Sequence, residues 1–305
     1  MIKYYSFIII GYINKGGRIV DYNLCDYKTL QRLLTPHGFN FSKSLGQNFI
    51  IDSSVCPAMA EMLGADENTG VLEIGPGVGV LTKELCKTAG RVVSVELDER
   101  LYPVLDKTLE DYDNFKLVKG DCMKIDLLQL MEDEFSQYDS VKVCANLPYY
   151  ITSPVIMKLL ESKLPVEEIE VMVQQEAAER LCAEIGSRNA GAVSVAVKYY
   201  GDSEILFNVG RESFMPSPKV DSSVIKITLY KEPKYEVKNE KKFFSLVKIM
   251  FAQRRKTILN SLSNGLGISK DKVSSSLVQL SLKPDIRAEK LTMGEIVDLA
   301  NLLIK

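Results

Sequence analysis

Four short segments of this 305-residue chain carry side chains whose types and order suit one piece of chemistry. The first is Glu73-Ile-Gly75-Pro-Gly77-Val-Gly79, which follows an apolar run and precedes residues with helical spacing. Glycine has no Cβ, so such a segment can turn sharply and let a ligand approach the backbone closely. The second is Glu96, which closes the β-branched run at 91–95; a carboxylate there can accept hydrogen bonds from both hydroxyls of a ribose. The third is Gly120-Asp121, whose carboxylate can accept from an adenine amino group. The fourth is Asn146-Leu147-Pro148-Tyr149. An exocyclic aromatic amine is a weak nucleophile because its lone pair is delocalised into the ring. A site that accepts both amine hydrogens, through Asn146 Oδ1 and the Leu147 carbonyl, lets the nitrogen pyramidalise and aim that lone pair. Pro148 stiffens the turn, and the Tyr149 ring offers a stacking face worth roughly 1–3 kcal/mol per base. The sole histidine is His37, so a histidine base is not expected and the site would work by positioning and polar complementarity.

The glycine spacing discriminates between cofactors. A dinucleotide fingerprint places its third glycine at position 80, where this chain has Val80. Gly-x-Gly-x-Gly suits a cofactor without phosphates, and S-adenosylmethionine is the one expected. Each segment alone also serves as an ordinary turn: Gly-Asp and Asn-x-Pro are common turn formers, and a glycine cluster often only joins strand to helix. Their succession is the informative feature, because open α/β sheets bind ligands at the carboxyl ends of their strands.

The elements that must position these residues are visible in the apolar pattern. Strands are expected over 71–74, 91–95, 115–118, 140–145, 169–173 and 220–229, and helices over 53–63, 81–88 and from about 98. Ser53 or Ser54 is available as N-cap of the first helix and Gly64 follows its end. Residues 191–200 fit helix and strand equally. The alternation predicts a Rossmann-like α/β fold with a mostly parallel sheet covered on both faces, and the S-adenosylmethionine expected from the glycine spacing makes it a methyltransferase domain. A charged, proline-bearing link at 231–235 then leads to three expected helices, 242–262, 270–280 and 293–304. The organisation expected is an extension at 1–20 outside the fold, a catalytic domain at 21–230 and a small all-α domain at 231–305.

Charge is distributed unevenly between these parts. Residues 231–305 carry 15 Lys and Arg against 8 Asp and Glu, whereas 1–230 carry 23 against 32. A basic segment on an acidic body suits a polyanion partner, although a lysine-rich helical surface can also simply be solvated. The six cysteines are scattered without a Cys-x-x-Cys pair, which argues against a zinc site and for reduced thiols in the cytoplasm. The apolar run at 4–13 is too short to span a bilayer and lacks the cleavage pattern of a secretory signal.

Four longer motifs together resemble the KsgA/RsmA family of small-subunit ribosomal RNA adenine dimethyltransferases. They are residues 41–52 (FSKSLGQNFIID), the Glu73 glycine segment, residues 146–154 (NLPYYITSP) and residues 214–220 (FMPSPKV). The resemblance runs from about Phe39 to the C-terminus. It implies S-adenosylmethionine-dependent dimethylation of two adjacent adenines in the 3′-terminal hairpin of 16S ribosomal RNA, and a role in small-subunit assembly by a monomeric protein without a metal. By the same resemblance Gln47, Asn48 and Ile50 border the cofactor, with Gly75, Gly77, Glu96, Asp121 and Asn146 completing its pocket. Phe214 would sandwich the extruded adenine against Tyr149, and Arg254, Arg255 and Lys256, on the first helix of the basic domain, would contact RNA phosphates.

Two other readings stay open on sequence. Enzymes that methylate large-subunit RNA and confer macrolide resistance share the fold, but usually show Asn-Ile-Pro-Tyr and lack the Phe-x-Pro-x-Pro-x-Val segment. A non-catalytic assembly factor would have no need of a complete set of Glu96, Asp121, Asn146 and Tyr149.

Overall fold

The structure, a computed structural model, describes residues 22–39 and 47–304. The expected extension at 1–20 and residues 41–46 of the first long motif lie outside the described residues. Nine strands are present among the described residues: β1 (Phe49–Ile50), β2 (Thr69–Ile74), β3 (Arg91–Glu96), β4 (Phe115–Lys119), β5 (Ser140–Asn146), β6 (Glu168–Gln174), β7 (Gly201–Val209), β8 (Phe214–Met215) and β9 (Ser222–Leu229). Seven form one sheet in the order β4-β3-β2-β5-β6-β9-β7, and β1 pairs with β8 as a short separate ribbon. The five strands from β4 to β6 run parallel, whereas β9 and β7 are antiparallel to their neighbours.

Helices cover both faces, as a parallel strand buried at every residue such as β2 requires. Helices α1 (Tyr27–Leu34), α2 (Val55–Leu63), α3 (Val80–Cys86), α4 (Tyr102–Thr108), α5 (Leu127–Phe135), α6 (Thr152–Glu161), α7 (Gln175–Leu181) and α8 (Ala192–Tyr200) accompany the sheet. On one face Leu72, Val93, Val143 and Val171 pack with Phe135 of α5 and Leu159 of α6. On the other, Val71, Val92, Cys144 and Met172 pack with Met59 of α2 and Leu85 of α3. The chain proceeds outward from β2 through β3 to β4, then returns to β5 on the opposite side of β2. That reversal opens a crevice at the carboxyl ends of β2 and β5, the position where open α/β sheets hold ligands.

Several local expectations are corrected. Ser54 takes the N-cap position of α2 as expected but makes no side-chain capping bond, its hydroxyl donating to Asp52 Oδ1 at 2.7 Å, and Gly64 ends the helix in the left-handed conformation. The ambiguous 191–200 stretch is α8. Its Val195 and Tyr199 pack against the C-terminal helices and its Val197 against the sheet, so burial on two sides erased the one-sided period. Strand β7 was not expected, because this edge strand buries few of its side chains and shows no apolar alternation.

After β9 the chain forms four helices, not three: α9 (Glu240–Phe251), α10 (Ile258–Leu266), α11 (Lys270–Gln279) and α12 (Met293–Leu303). The break lies at 252–257, where Thr257 caps α10 by accepting from the Asn260 N–H and the Ile258 N–H turns away to the Ile286 carbonyl. Arg254, Arg255 and Lys256 therefore occupy a loop and not the first helix.

One core residue conflicts with its surroundings. Glu170 on β6 is fully buried beside Cys144 and Lys226, and neither carboxylate oxygen has a hydrogen-bond partner among the described residues. Burial, reinforced by Glu168 and opposed by Lys226 and Lys142, pushes its pKa up to about 8. The unfolded chain releases that proton at an ordinary carboxyl pKa near ~4.3, so between those values the folded state binds more protons and stability falls as pH rises. Glu170→Gln is expected to raise stability by roughly 1–3 kcal/mol at pH 8, with the gain disappearing below about pH 4.5. Melting curves of both proteins across pH test this; a gain independent of pH would reject ionisation of Glu170 as its cause.

Candidate active site

One cavity at the carboxyl ends of β2 to β5 gathers most of the residues singled out in the sequence. Its wall includes Gln47, Asn48 and Ile50 from the N-terminal side, Gly75 and Gly77 after β2, Glu96 ending β3, Asp121 after β4, and Asn146, Leu147, Pro148 and Tyr149 at the end of β5. Gly75 and Gly77 have φ of +72° and +61°, a region L side chains rarely adopt, and no atom lies within 4 Å of where a Gly75 Cβ would stand. The space beside Gly75 is thus open to a ligand. Val80 begins α3 directly after the glycines.

Carboxylates are set into this wall at fixed angles. Glu96 is 6% exposed; its Oε1 accepts from the Asp98 N–H at 2.8 Å and its Oε2 from the Gly77 N–H at 3.3 Å. Burial outweighs those bonds and pushes its pKa up to about 7. Glu73 lies beneath, accepting from the hydroxyls of Thr82 at 2.7 Å and Ser94 at 2.6 Å, and burial likewise raises it to about 7. Its bonds tie β2 to α3 and β3, which fixes the glycine turn between them. Asp121 accepts from the Met123 N–H at 2.9 Å.

The acceptor end is built on β5. Asn146 still pairs with Met172 of β6, and the Leu147 N–H donates to the Met172 carbonyl at 3.2 Å, so the first two residues of the turn are held by the sheet. Asn146 Nδ2 lies 3.5 Å from the Asn48 carbonyl, which leaves Oδ1 as the acceptor available to a ligand amine. Tyr149 opens a short 3-10 turn and is half-buried, with its hydroxyl 2.7 Å from that of Ser222.

Four residues predicted to bind substrate lie elsewhere. Phe214 is 2% exposed and sits in the core with Ile50, Met172 and Val224, paired to Ile50 across the β1–β8 ribbon. It pairs with the strand bearing Phe49 and Ile50, and its ring is covered by neighbours and does not line the cavity. Arg254, Arg255 and Lys256 are exposed on the loop between α9 and α10. Arg254 donates to the Arg188 carbonyl, and Arg254 and Arg255 share a groove with Arg180, Arg188 and Arg287.

Sequence reasoning missed two contributors. Asp98 accepts from Gln47 Nε2 at 3.1 Å and pairs with Arg100 at 2.6 Å, fixing the position of Gln47; an Asp two residues beyond Glu96 at a helix start was the available signal. Ser222 touches Tyr149 from 73 residues away, and nothing local announces it.

Comparison with known proteins places this geometry. The model of the family described as ribosomal RNA adenine dimethylase matches residues 38–305. The chain belongs to that family. It is 43% identical over 277 residues to the ribosomal RNA small subunit methyltransferase A of Geobacillus thermodenitrificans, covering 90% of this chain and 94% of that one. A protein of the same name from Streptococcus thermophilus is 42% identical over 284 residues, 92% of this chain and 98% of the relative. Among solved structures, a dimethyladenosine transferase from Plasmodium falciparum superposes with a TM-score of 0.67 at 26% identity, covering 82% of this chain and 95% of that one. The 23S rRNA methyltransferase ErmE gives 0.63 at 25% identity, covering 85% and 100%. This dimethylase is therefore an enzyme with a Rossmann-like α/β sheet followed by C-terminal helices. Among the described residues, no helix is long and apolar enough to cross a membrane and no cluster of His, Cys, Asp or Glu is placed to hold a metal ion.

Proposed function

We propose that this protein uses S-adenosylmethionine to dimethylate two adjacent adenines in the 3′-terminal hairpin of 16S ribosomal RNA, within the small subunit. The observation that carries the reading is the meeting of Asn146 and Tyr149 with Gly75, Glu96 and Asp121 on one cavity wall. A nucleoside-binding set and an amine-binding set thus line the same cavity.

The wall fits the proposed donor. Its ribose would meet the buried Glu96 carboxylate, its adenine the Asp121 carboxylate, and the open space beside Gly75 admits close backbone approach. When bound, S-adenosylmethionine supplies an electrophilic methyl group. The chain's own task is to orient the target nitrogen: Asn146 Oδ1 and the Leu147 carbonyl accept its two hydrogens, Pro148 holds that carbonyl, and Tyr149 stacks on the base. The exposed arginines 254 and 255 with Lys256 would hold RNA phosphates, giving the C-terminal helices a docking role. Names of the relatives above favour the small subunit over the large. A cytoplasmic, monomeric enzyme working without metal agrees with recognition of one asymmetric RNA site.

Transfer of labelled methyl groups to unmethylated small subunits, with large subunits in parallel, tests the assignment. Dimethyladenine confined to small-subunit RNA is expected; label in large-subunit RNA would replace the substrate assignment, and tight small-subunit binding without label would indicate an assembly factor.

A second expectation concerns pH. Glu96 must be ionised to accept from two ribose hydroxyls, and burial holds its pKa near about 7 in the free protein. Cofactor binding should therefore strengthen as pH rises, by roughly tenfold between pH 6 and pH 8. Calorimetry with S-adenosylhomocysteine checks this, with Glu96→Gln expected to bind more weakly and to lose the dependence. A flat profile for the unmodified protein would remove Glu96 from the ribose contact.

A further inference from the structure

The Tyr149 ring is tied to the sheet at both ends. Its backbone follows the Leu147 N–H bond to Met172 on β6, and its phenol oxygen lies 2.7 Å from Ser222 Oγ on β9. Ser222 is fully buried and begins a strand paired on both sides, opposite Gln174 of β6 and Val209 of β7. Its hydroxyl is thus among the least movable groups near the cavity. A buried hydroxyl is costly unless it is paired, and the Tyr149 phenol supplies the pair.

We propose that Ser222 is a positioning residue for methyl transfer, its hydroxyl bond to Tyr149 fixing where the ring on which the target adenine stacks stands at the cavity wall. This rests on the adenine-amine reading given above. A stacking face directs a base only if its own position is defined, and a tyrosine whose tip is free swings about its first side-chain torsion. The Asn146 backbone and the Leu147 N–H are already held by β6, so holding the ring from β9 adds a second anchor for the turn that carries base and amine contacts. Small errors in alignment at a reacting nitrogen are costly in rate. Burial, with the Asp221 charge nearby, raises the phenol pKa, so the hydroxyl keeps its proton throughout the neutral range.

The test is a double-mutant cycle on the full chain, using Ser222→Ala, Tyr149→Phe and the double variant. Labelled methyl transfer to unmethylated small subunits gives kcat and KM, and melting temperatures confirm folding. Each single variant is expected to lose roughly 3- to 10-fold in kcat with KM little changed, and the double variant to be no slower than the slower single one. The rotamer distribution of selectively labelled Tyr149 about its first side-chain torsion, read from NMR couplings without substrate, should broaden in Ser222→Ala. Multiplying losses in the double variant, or an unchanged rotamer distribution, would overturn the positioning role even where turnover falls. Absence of transfer by the unmodified protein would overturn the amine-methylation reading, and the role of Ser222 with it, whatever the ring does.

Discussion

Asn146→Ala should reduce methyl transfer by roughly 10²- to 10³-fold or more while small-subunit affinity stays close to normal. The residue ends β5 on the cavity wall, paired through its backbone with Met172, so the substitution removes a side chain without loosening the turn. What disappears is one of two acceptors for the amine hydrogens. The loss should fall on the chemical step, because pyramidalising the nitrogen matters more in the transition state than in the bound state. Single-turnover rates, measured beside cofactor and RNA affinities, separate these effects. Turnover at the normal rate would sink the proposed mechanism, and a loss confined to cofactor affinity would recast Asn146 as part of the donor pocket alone.

Reversing charge at Arg254 and Arg255 together is expected to produce the next largest effect, about 10- to 100-fold weaker RNA binding at low salt. Both side chains are exposed on the loop between α9 and α10 and share a groove with Arg180, Arg188 and Arg287. Phosphate contacts act through counterion release, so removing two should flatten the dependence of log affinity on log salt by roughly two units of slope. The cavity belongs to other elements, so S-adenosylhomocysteine affinity should not change. Equal RNA affinity for variant and unmodified protein at low salt would exclude this loop from the RNA contact.

The strand-end residues were legible in the sequence because their signals are local. A glycine segment after an apolar run, an acid closing a β-branched run and an Asn-Leu-Pro-Tyr turn each announce both an element boundary and a chemistry within a few residues. Where strands run parallel and buried on both faces, as β2, β3, β5 and β6 do, apolar runs mark them without help from partners. Legibility failed where burial was unusual. Helix α8 is covered on two sides and loses its period, while edge strand β7 buries too little to show one. The helix expected over 242–262 was broken at Thr257, because the sequence shows Thr257 as one polar residue among many, whereas its capping bond and the Ile258–Ile286 pairing exist only once the loop has folded.

The sequence by itself determined the α/β class, the order of the strand ends and the residues that border the cavity, since each depends on neighbours along the chain. Tertiary structure alone decided which aromatic faces the site. Phe214 and Tyr149 look equally suited to stacking when read as residue types, yet Phe214 is drawn into the core by its pairing with Ile50, and Tyr149 is held at the cavity by Ser222. Both outcomes depend on contacts between segments far apart in sequence. The same holds for Glu170, whose cost arises only when β5 and β9 close around it. Burial and long-range pairing are properties of the packed sheet, and no spacing along the chain encodes them locally.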